Sequence, residues 1–164
     1  MKELLQQYAS FNIWATNILF ERITKIPEEK ITQEIVSSFP SVYKTALHLW
    51  QAESIWWQRI NKAEKIIVLS ETFTGSFNEL KEGIAQQSRQ WKKYVDAIAA
   101  EGLNETFSFV RNGQPFTMIV HDMLLHLFNH ATFHRGQLVT LLRQLGEVTD
   151  IPSTDFSTYT RIEK

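Results

Sequence analysis

Two histidines one helical turn apart are the residues of this sequence best placed to do chemistry. His130 and His134 interrupt a stretch whose leucines recur at helical spacing, and His134 falls on one line with Leu127 and Leu138. His130 falls at the edge of that line. Because residues four apart lie on the same side of a helix, the two imidazoles can bind one metal ion together. Neutral imidazole is the commonest side-chain ligand of transition metals.

A third histidine breaks a second apolar helical pattern, since His48 stands beside Leu49, Ala52 and Ile55. Metal sites in helical bundles are built from side chains on facing helices. One histidine from this helix and two from the other would give three nitrogen ligands and leave one coordination position open, as in catalytic sites. Each histidine also has a plainer interpretation, as a buried and hydrogen-bonded core residue.

Two helices that could hold such a site are predicted in the first 61 residues. The first runs to about Lys25 and stops near Pro27, and the second opens at Pro40 with Ser41 as its N-cap and fades near Asn61. The predicted inward face of the first comprises Leu4, Tyr8, Phe11, Ala15, Ile18, Leu19 and Ile23. That of the second comprises Thr45, His48, Leu49, Ala52, Ile55 and Trp56.

After a predicted loop at 62–75, a third helix is expected from Ser76, with Glu79 completing a capping box, to Gly102. Its inward face comprises Phe77, Leu80, Ile84, Trp91, Val95 and Ile98.

Residues 106–110 and 116–117 predict a hairpin around an Asn-Gly turn. The last helix spans about 117–145, and the tail from Ile151 is expected to be irregular. We therefore predict one all-α domain over 1–164, a four-helix bundle with a short β-hairpin between the third and fourth helices.

The composition excludes several classes of function and makes others unexpected. The chain has no cysteine, which excludes disulfides, zinc–thiolate sites, iron–sulfur clusters and a cysteine nucleophile. Its 17 basic and 18 acidic residues give a net charge of -1, without the basic surplus typical of direct nucleic-acid binding. The N-terminal residues do not resemble a signal peptide, and no stretch approaches the roughly 20 apolar residues of a membrane span. We therefore expect a cytoplasmic protein that binds no membrane.

The sequence around these histidines resembles the DinB/YfiT-like superfamily, whose members are regarded as metalloproteins. The resemblance is carried mainly by HATFHRGQLVTLLRQLG at 130–146, and FNIWA at 11–15, TALHLWQAE at 45–53 and PSTDF at 152–156 fit the same family. It covers nearly the whole chain. It implies a four-helix bundle, often a homodimer, and one divalent metal ion on His48, His130 and His134.

Two further histidines lie on the last helix. His126 precedes His130 by one turn, but three consecutive turns drift by about 80°, which would strain one tetrahedral site. We interpret His126 as a supporting or structural residue. His121 points away from the inward face and is expected to be solvated. Glu53 lies about 140° around its helix from His48, so no carboxylate is predicted to serve this site as a general base.

Arg135 and Gln137 belong to the motif that resembles the family, and both are interpreted as residues that tie helices together. Asn12 on the first helix is likewise interpreted as a polar contact between helices. No general acid or base can be assigned from the sequence, and a water or thiol bound to the metal could itself supply the reactive group.

Two classes of function follow. The first is a metal-dependent enzyme acting on a small molecule, since a metal on three histidines lowers the pKa of bound water or of a bound thiol. Characterised relatives in the superfamily imply a thiol-dependent transferase or a hydrolase, with a low-molecular-weight thiol as co-substrate. The alternative is a non-catalytic, stress-induced metal-binding dimer with a vestigial site. Zinc and nickel are the expected metals, and the high aromatic content suggests a homodimer in which Trp57 or Trp14 takes part.

Overall fold

The computed structural model describes residues 1–162, which form four long helices, three short helices and one β-hairpin. The long helices are α1 (Lys2–Ile23), α3 (Val42–Ile60), α5 (Phe77–Ala97) and α6 (Val120–Gln144). The short helices are α2 (Glu28–Thr32), α4 (Leu69–Thr72) and α7 (Phe156–Ile162), and a 3₁₀ turn spans Gly102–Asn104. The long helices pack as the predicted four-helix bundle. No helix among the described residues is long and apolar enough to cross a membrane.

The predicted hairpin is present between α5 and α6, as strands β1 (Thr106–Arg111) and β2 (Gln114–Ile119). Its turn residues Asn112 and Gly113 both have positive φ, 52° and 73°, as a two-residue Asn-Gly turn requires. Phe107 packs into the bundle core, so the ribbon is supported by the helices. Helix α6 begins at Val120 and not near Thr117, because pairing between the strands continues to Ile119.

The start signals of two helices were predicted correctly. The Ser41 side chain accepts a hydrogen bond from the backbone N–H of Lys44, and Ser76 and Glu79 form the full capping box. Helix α5 stops at Ala97, before the predicted Gly102, which instead opens the 3₁₀ turn. These caps satisfy backbone N–H groups that the first turn of a helix leaves without partners.

Two segments predicted as irregular contain short helices. In the tail, the Phe156 ring stacks on Tyr8 with centroids 4.9 Å apart, and Tyr159 is buried against α1. These two rings lie three residues apart, so one turn of α7 brings both onto the outer side of α1. In the loop 62–75, Phe73 follows α4 and meets Trp50 edge to face at 5.0 Å. Packing of aromatic side chains thus orders two segments for which the polar composition predicted no regular structure.

The tryptophans are accommodated within one chain. Trp56 and Trp91 are buried, and no tryptophan is among the exposed large apolar residues. Trp57 lies against Trp91 at 5.1 Å, and Trp14 lies against Tyr159 at 5.5 Å. The tryptophans therefore give no reason to expect a dimer, and the predicted homodimer through Trp57 or Trp14 stays a prediction.

The inner faces of α1 and α3 differ from those predicted. On α1, Leu4 is 45% exposed while Leu5, Asn12 and Thr16 are buried. On α3, Glu53 is only 1% exposed, whereas His48 is half-buried at the side of the inner face. A hydrophobic pattern assigns polar residues to the outside of a helix. When polar residues line the inner face, the pattern therefore predicts an inner face that is rotated about the helix axis from the observed one.

These polar residues form a buried hydrogen-bonded network that joins all four long helices. Arg135 of α6 donates through Nη1 to Asn12 Oδ1 at 2.6 Å and to Thr16 Oγ1 at 3.3 Å. Asn12 Nδ2 donates to Glu53 Oε1 of α3 at 2.8 Å, and Ser88 Oγ of α5 donates to Glu53 Oε2 at 2.8 Å. Buried polar groups are stabilising only when satisfied in this way, so the network specifies how the helices face one another.

Burial dominates the titration of both charged members of this network. It raises the pKa of Glu53 to about 7, although hydrogen bonds from Ser88 and Asn12 and the charge of Arg135 oppose the shift. Burial also lowers the pKa of Arg135 to about 10, which leaves the guanidinium protonated at neutral pH. The Glu53 carboxyl therefore takes up a proton near neutrality, far above its ordinary value of 4.5.

Glu53→Gln is expected to flatten the pH dependence of stability. The unfolded carboxyl ionises near pH 4.5, whereas the folded one stays protonated to about pH 7. The wild-type free energy of unfolding should therefore fall by roughly 2–3 kcal/mol as pH rises from 5 to 8, relative to a variant without this carboxyl. Glutamine can still accept from Asn12 and donate to Ser88. Urea unfolding across this pH range measures the difference, with the exposed Glu64→Gln as control. Parallel profiles for wild type and Glu53→Gln would contradict the raised pKa.

Candidate metal centre

Helices α3 and α6 bring the three predicted histidines together. His130 Nε2 lies 3.2 Å from His48 Nε2 and 3.0 Å from His134 Nε2. One nitrogen of each ring lies within 4.8 Å of the other two, and among residues 1–162 this is the group of three or more histidines or carboxylates that could hold a metal ion. The i, i+4 spacing sets the pair on α6, and packing of α3 against α6 supplies the third ring.

The orientation of one imidazole is fixed by Gln137, one turn further along α6. Gln137 Oε1 lies 2.7 Å from His134 Nδ1. An amide oxygen can only accept, so His134 Nδ1 carries the proton and Nε2 keeps its lone pair. That lone pair faces His130 and His48. Hydrogen bonding behind a histidine ligand is how proteins hold imidazoles in a metal-binding tautomer.

All three rings are neutral at pH 7. Burial is the larger cause and the nearby His134 the smaller one of a shift that lowers the pKa of His48 to about 4. Burial and the neighbouring histidines lower the pKa of His130 to about 3. Burial also lowers the pKa of His134, although its bond to Gln137 opposes the shift. Neutral imidazoles are the form that binds metal ions, so no proton has to be removed from a charged ring first.

The donor set fits a small divalent cation. Nitrogens bound to tetrahedral zinc at about 2.0–2.1 Å lie roughly 3.3 Å apart, close to the 3.0 and 3.2 Å found here. One proton on His130 Nε2 can be shared with only one neighbour at a time, because each contact needs one donor and one acceptor. A cation among the three nitrogens would satisfy all three lone pairs together.

Phe39 forms one wall of the site and was not singled out in the sequence. Its ring stacks on His48 with centroids 3.9 Å apart and meets the edge of His134 at 5.7 Å. The backbone carbonyl of Phe39 accepts hydrogen bonds from Ser41 N and Thr45 Oγ1, which hold the residue at the start of α3. A phenylalanine directly before the Pro40-Ser41 helix start was the available signal. The ring keeps water from one face of His48.

The other side of the site opens into a cavity of about 300 Å³. His48 and His130 line it together with His126, Arg59 and Arg111. His48 also borders a second cavity, of about 340 Å³, on the side of Phe39. The histidine cluster is thus accessible from outside, and within residues 1–162 no aspartate or glutamate lines either cavity.

The remaining histidines of α6 lie outside the cluster. His126 is exposed in the first cavity, with its ring edge to face with Trp56 at 5.4 Å and 5.8 Å from the His130 ring. This agrees with a supporting position. The expectation that His121 is solvated was wrong, because its Nδ1 lies 2.9 Å from the Leu103 carbonyl oxygen and the ring is half-buried.

The motif residues divide between two roles. Arg135 and Asn12 tie helices together, as interpreted from the sequence. Gln137 does not, since its contact is with His134 on the same helix. Glu53 makes its hydrogen bonds with Asn12 and Ser88, away from the histidines, as its angle from His48 predicted.

Comparisons with known proteins identify the family. A family model described as the DinB family matches residues 1–163. The chain is 26% identical to the protein named DinB of Bacillus subtilis (strain 168), over an alignment of 176 positions covering 100% of this chain and 99% of that protein. It also resembles the crystal structure of a DinB-like protein from Bacillus cereus ATCC 10987, with a TM-score of 0.72 and 20% identity. That match covers 92% of this chain and 95% of the other, and it shows the fold.

Gln137→Leu is expected to change the tautomer of His134. Without the acceptor oxygen, the Nδ1–H form loses a hydrogen bond worth about 1 kcal/mol, so the ratio of tautomers should shift by roughly fivefold toward Nε2–H. Ring ¹⁵N chemical shifts of the metal-free protein measure this ratio. The exposed Gln144→Leu on the same helix is the control. Identical His134 shifts in wild type and Gln137→Leu would show that Gln137 does not set the tautomer.

Proposed function

We propose a function for the chain from the fact that it belongs to the DinB family. In this proposal His48, His130 and His134 bind one divalent metal ion, and this centre is catalytic. The proposed substrate is a small molecule. The observation that carries the proposal is a cluster of three neutral imidazoles that opens into a cavity of about 300 Å³. A site closed by four protein ligands would instead favour a structural role.

A divalent cation held by three imidazoles would supply a Lewis acid that makes a bound water or thiol a better nucleophile near neutral pH. The residues of the chain would orient and protect this centre. Gln137 keeps the proton of His134 on Nδ1, and Phe39 covers one face of His48. We propose zinc or nickel as the metal, because three nitrogen ligands favour metals late in the Irving–Williams order.

The proposed reaction is the transfer of a low-molecular-weight thiol or a hydrolysis. Both reactions need a nucleophile at the centre, and neither needs a carboxylate base if the nucleophile is activated by the cation. The absence of any aspartate or glutamate lining the two adjoining cavities is consistent with that requirement.

The same absence favours the second candidate, a metal-binding protein without catalytic activity. A site with no carboxylate to move protons could have lost its reaction and kept its metal. The homodimer also stays a prediction based on the family resemblance. Phe133 and Phe116 are the phenylalanine side chains left largely exposed for a contact between two copies.

Alanine in place of any one of His48, His130 and His134 is expected to weaken zinc or nickel binding by more than about 100-fold. Even removal of a hydrogen-bond partner behind a ligand costs 10–100-fold, and loss of a ligand should cost more. Metal titration followed by elemental analysis measures the effect.

The control for this series is His121→Ala on α6, since the structure places that ring on the Leu103 carbonyl. Circular dichroism confirms that each variant is helical. Unchanged metal affinity in the alanine variants of His48, His130 and His134 would refute the assignment of the ligands.

A thiol added to the cobalt-substituted protein is expected to produce a sulfur-to-metal charge-transfer band, because an accessible cation stabilises the thiolate. The band should be absent in His130→Ala and present in His121→Ala. Absorption spectroscopy with a series of small thiols and anions gives the result. If none of them alters the spectrum, no ligand reaches the metal, and the non-catalytic candidate replaces the enzyme.

A further inference from the structure

Two arginines converge on the cavity that leads to the histidines. Arg59 lies in the last turn of α3, and Arg111 is the last residue of β1. Both line the cavity of about 300 Å³ together with His48 and His130. The bundle and the hairpin, which are far apart in sequence, thus each bring one guanidinium to the same opening.

Arg59 is held in place by aromatic rings. Its Cζ lies 4.7 Å from the centre of the Trp56 ring and 4.6 Å from that of Phe109. Such contacts restrict a side chain that would otherwise move among many rotamers. Its Nε is buried and has no hydrogen-bond partner among the described residues. The rings therefore hold the Arg59 guanidinium at the cavity that it lines.

Neither arginine forms an ion pair with an acidic side chain among the residues that the structure describes. Elsewhere in residues 1–162, Arg22 pairs with Glu147 and Lys81 pairs with Glu21. No ion pair is formed within that part of the chain by Arg59 or Arg111. Two like charges at one cavity are unfavourable for stability alone, because they repel and lack a counter-charge.

The cation–π contacts explain the position of Arg59 but give no reason for Arg111 to share its cavity. Guanidinium groups match the paired oxygens of carboxylates and phosphates, to which they can donate two parallel hydrogen bonds. Since the described residues that line the cavity include no aspartate or glutamate, an anionic group of a bound molecule would give both guanidinium groups a counter-charge.

We propose that this cavity binds the anionic group, a carboxylate or a phosphate, of a small molecule through Arg59 and Arg111. The rest of the molecule then lies against His48 and His130. This assignment rests on the proposed function for its substrate class, since it names the charged end of the molecule on which the metal centre acts. The two arginines are binding residues, and the reacting group is the end nearer the histidines.

The test measures binding of inorganic phosphate and of propionate to the full chain, with and without zinc. The indole N–H signal of Trp56, which lines the cavity beside Arg59, reports binding in ¹H–¹⁵N spectra and is assigned with Trp56→Phe. Arg111→Gln is the main variant, because Arg111 is exposed and its loss leaves the core intact. Arg59→Gln is the second variant. Arg89→Gln, an exposed arginine of α5 outside the cavity, is the matched control.

Arg111→Gln and Arg59→Gln are each expected to weaken binding by at least about 10-fold in the metal-free chain, where only the arginines carry charge at the cavity. Arg89→Gln should bind as wild type does. A Trp56 signal that responds to phosphate alone identifies a phosphate group, and one that responds to propionate alone identifies a carboxylate. The proposal is overturned if neither anion moves the wild-type signal, or if Arg111→Gln and Arg89→Gln bind alike.

The zinc titration keeps this outcome separate from that of the proposed function. Arginine-dependent anion binding in a chain that fails to bind zinc would refute the metal centre and leave the anion site standing. Zinc binding through the histidines, with anion affinity unchanged in both arginine variants, would refute the anion site and support the metal centre.

Discussion

The buried hydrogen bonds around Arg135 are the constraint on which the arrangement of this molecule depends. A guanidinium cannot be buried without partners, because the cost of removing the charge from water exceeds the stability of a small domain. Arg135 meets most of that requirement through hydrogen bonds to Asn12 and to two threonines, while its buried Nε has no partner among the described residues. Asn12 in turn donates to Glu53, which also accepts from Ser88. One residue from each long helix is thereby joined in a single connected set. A helix that rotated or slid would leave a charged or polar group unsatisfied.

That constraint also positions the histidines. Arg135 directly follows His134 on α6, so the contact with Asn12 fixes the rotation of the helix that carries both His130 and His134. Glu53 does the same for α3, and because it lies on a different side of that helix from His48, fixing one directs the other toward the cavity. The bundle core thus contains a connected polar network, and the site beside it contains three neutral imidazoles whose ring nitrogens converge. Rigid support of this kind is what a metal centre needs for defined geometry.

The two polar regions differ in electrostatics for a physical reason. Inside the network Arg135 is hydrogen-bonded to neutral side chains, and burial raises the pKa of Glu53 to about 7, so that the carboxyl can be neutral. In the cavity the histidines are neutral and the two arginines are uncompensated, so the opening has a positive potential without an acid to oppose it. A cavity of that character attracts anions, whereas the three nitrogens themselves attract a cation. The two proposals together give the site separate positions for a metal ion and for the charge of a small molecule.

The sequence by itself determined the four helices, the caps at Ser41 and Ser76, the Asn-Gly hairpin and the histidine pair of α6, because local spacing and backbone preference specify these features. Tertiary structure decided the rest. Glu53 lies inside although its polarity predicts the surface, because burial of a polar group depends on partners distant in sequence. Arg59 and Arg111 meet only when the hairpin docks on α3, and Phe39 becomes a wall only when α3 packs against α6. The tail folds as α7 because Phe156 and Tyr159 find rings on α1. Such contacts join residues far apart along the chain, and no local pattern encodes which distant surface a side chain will meet.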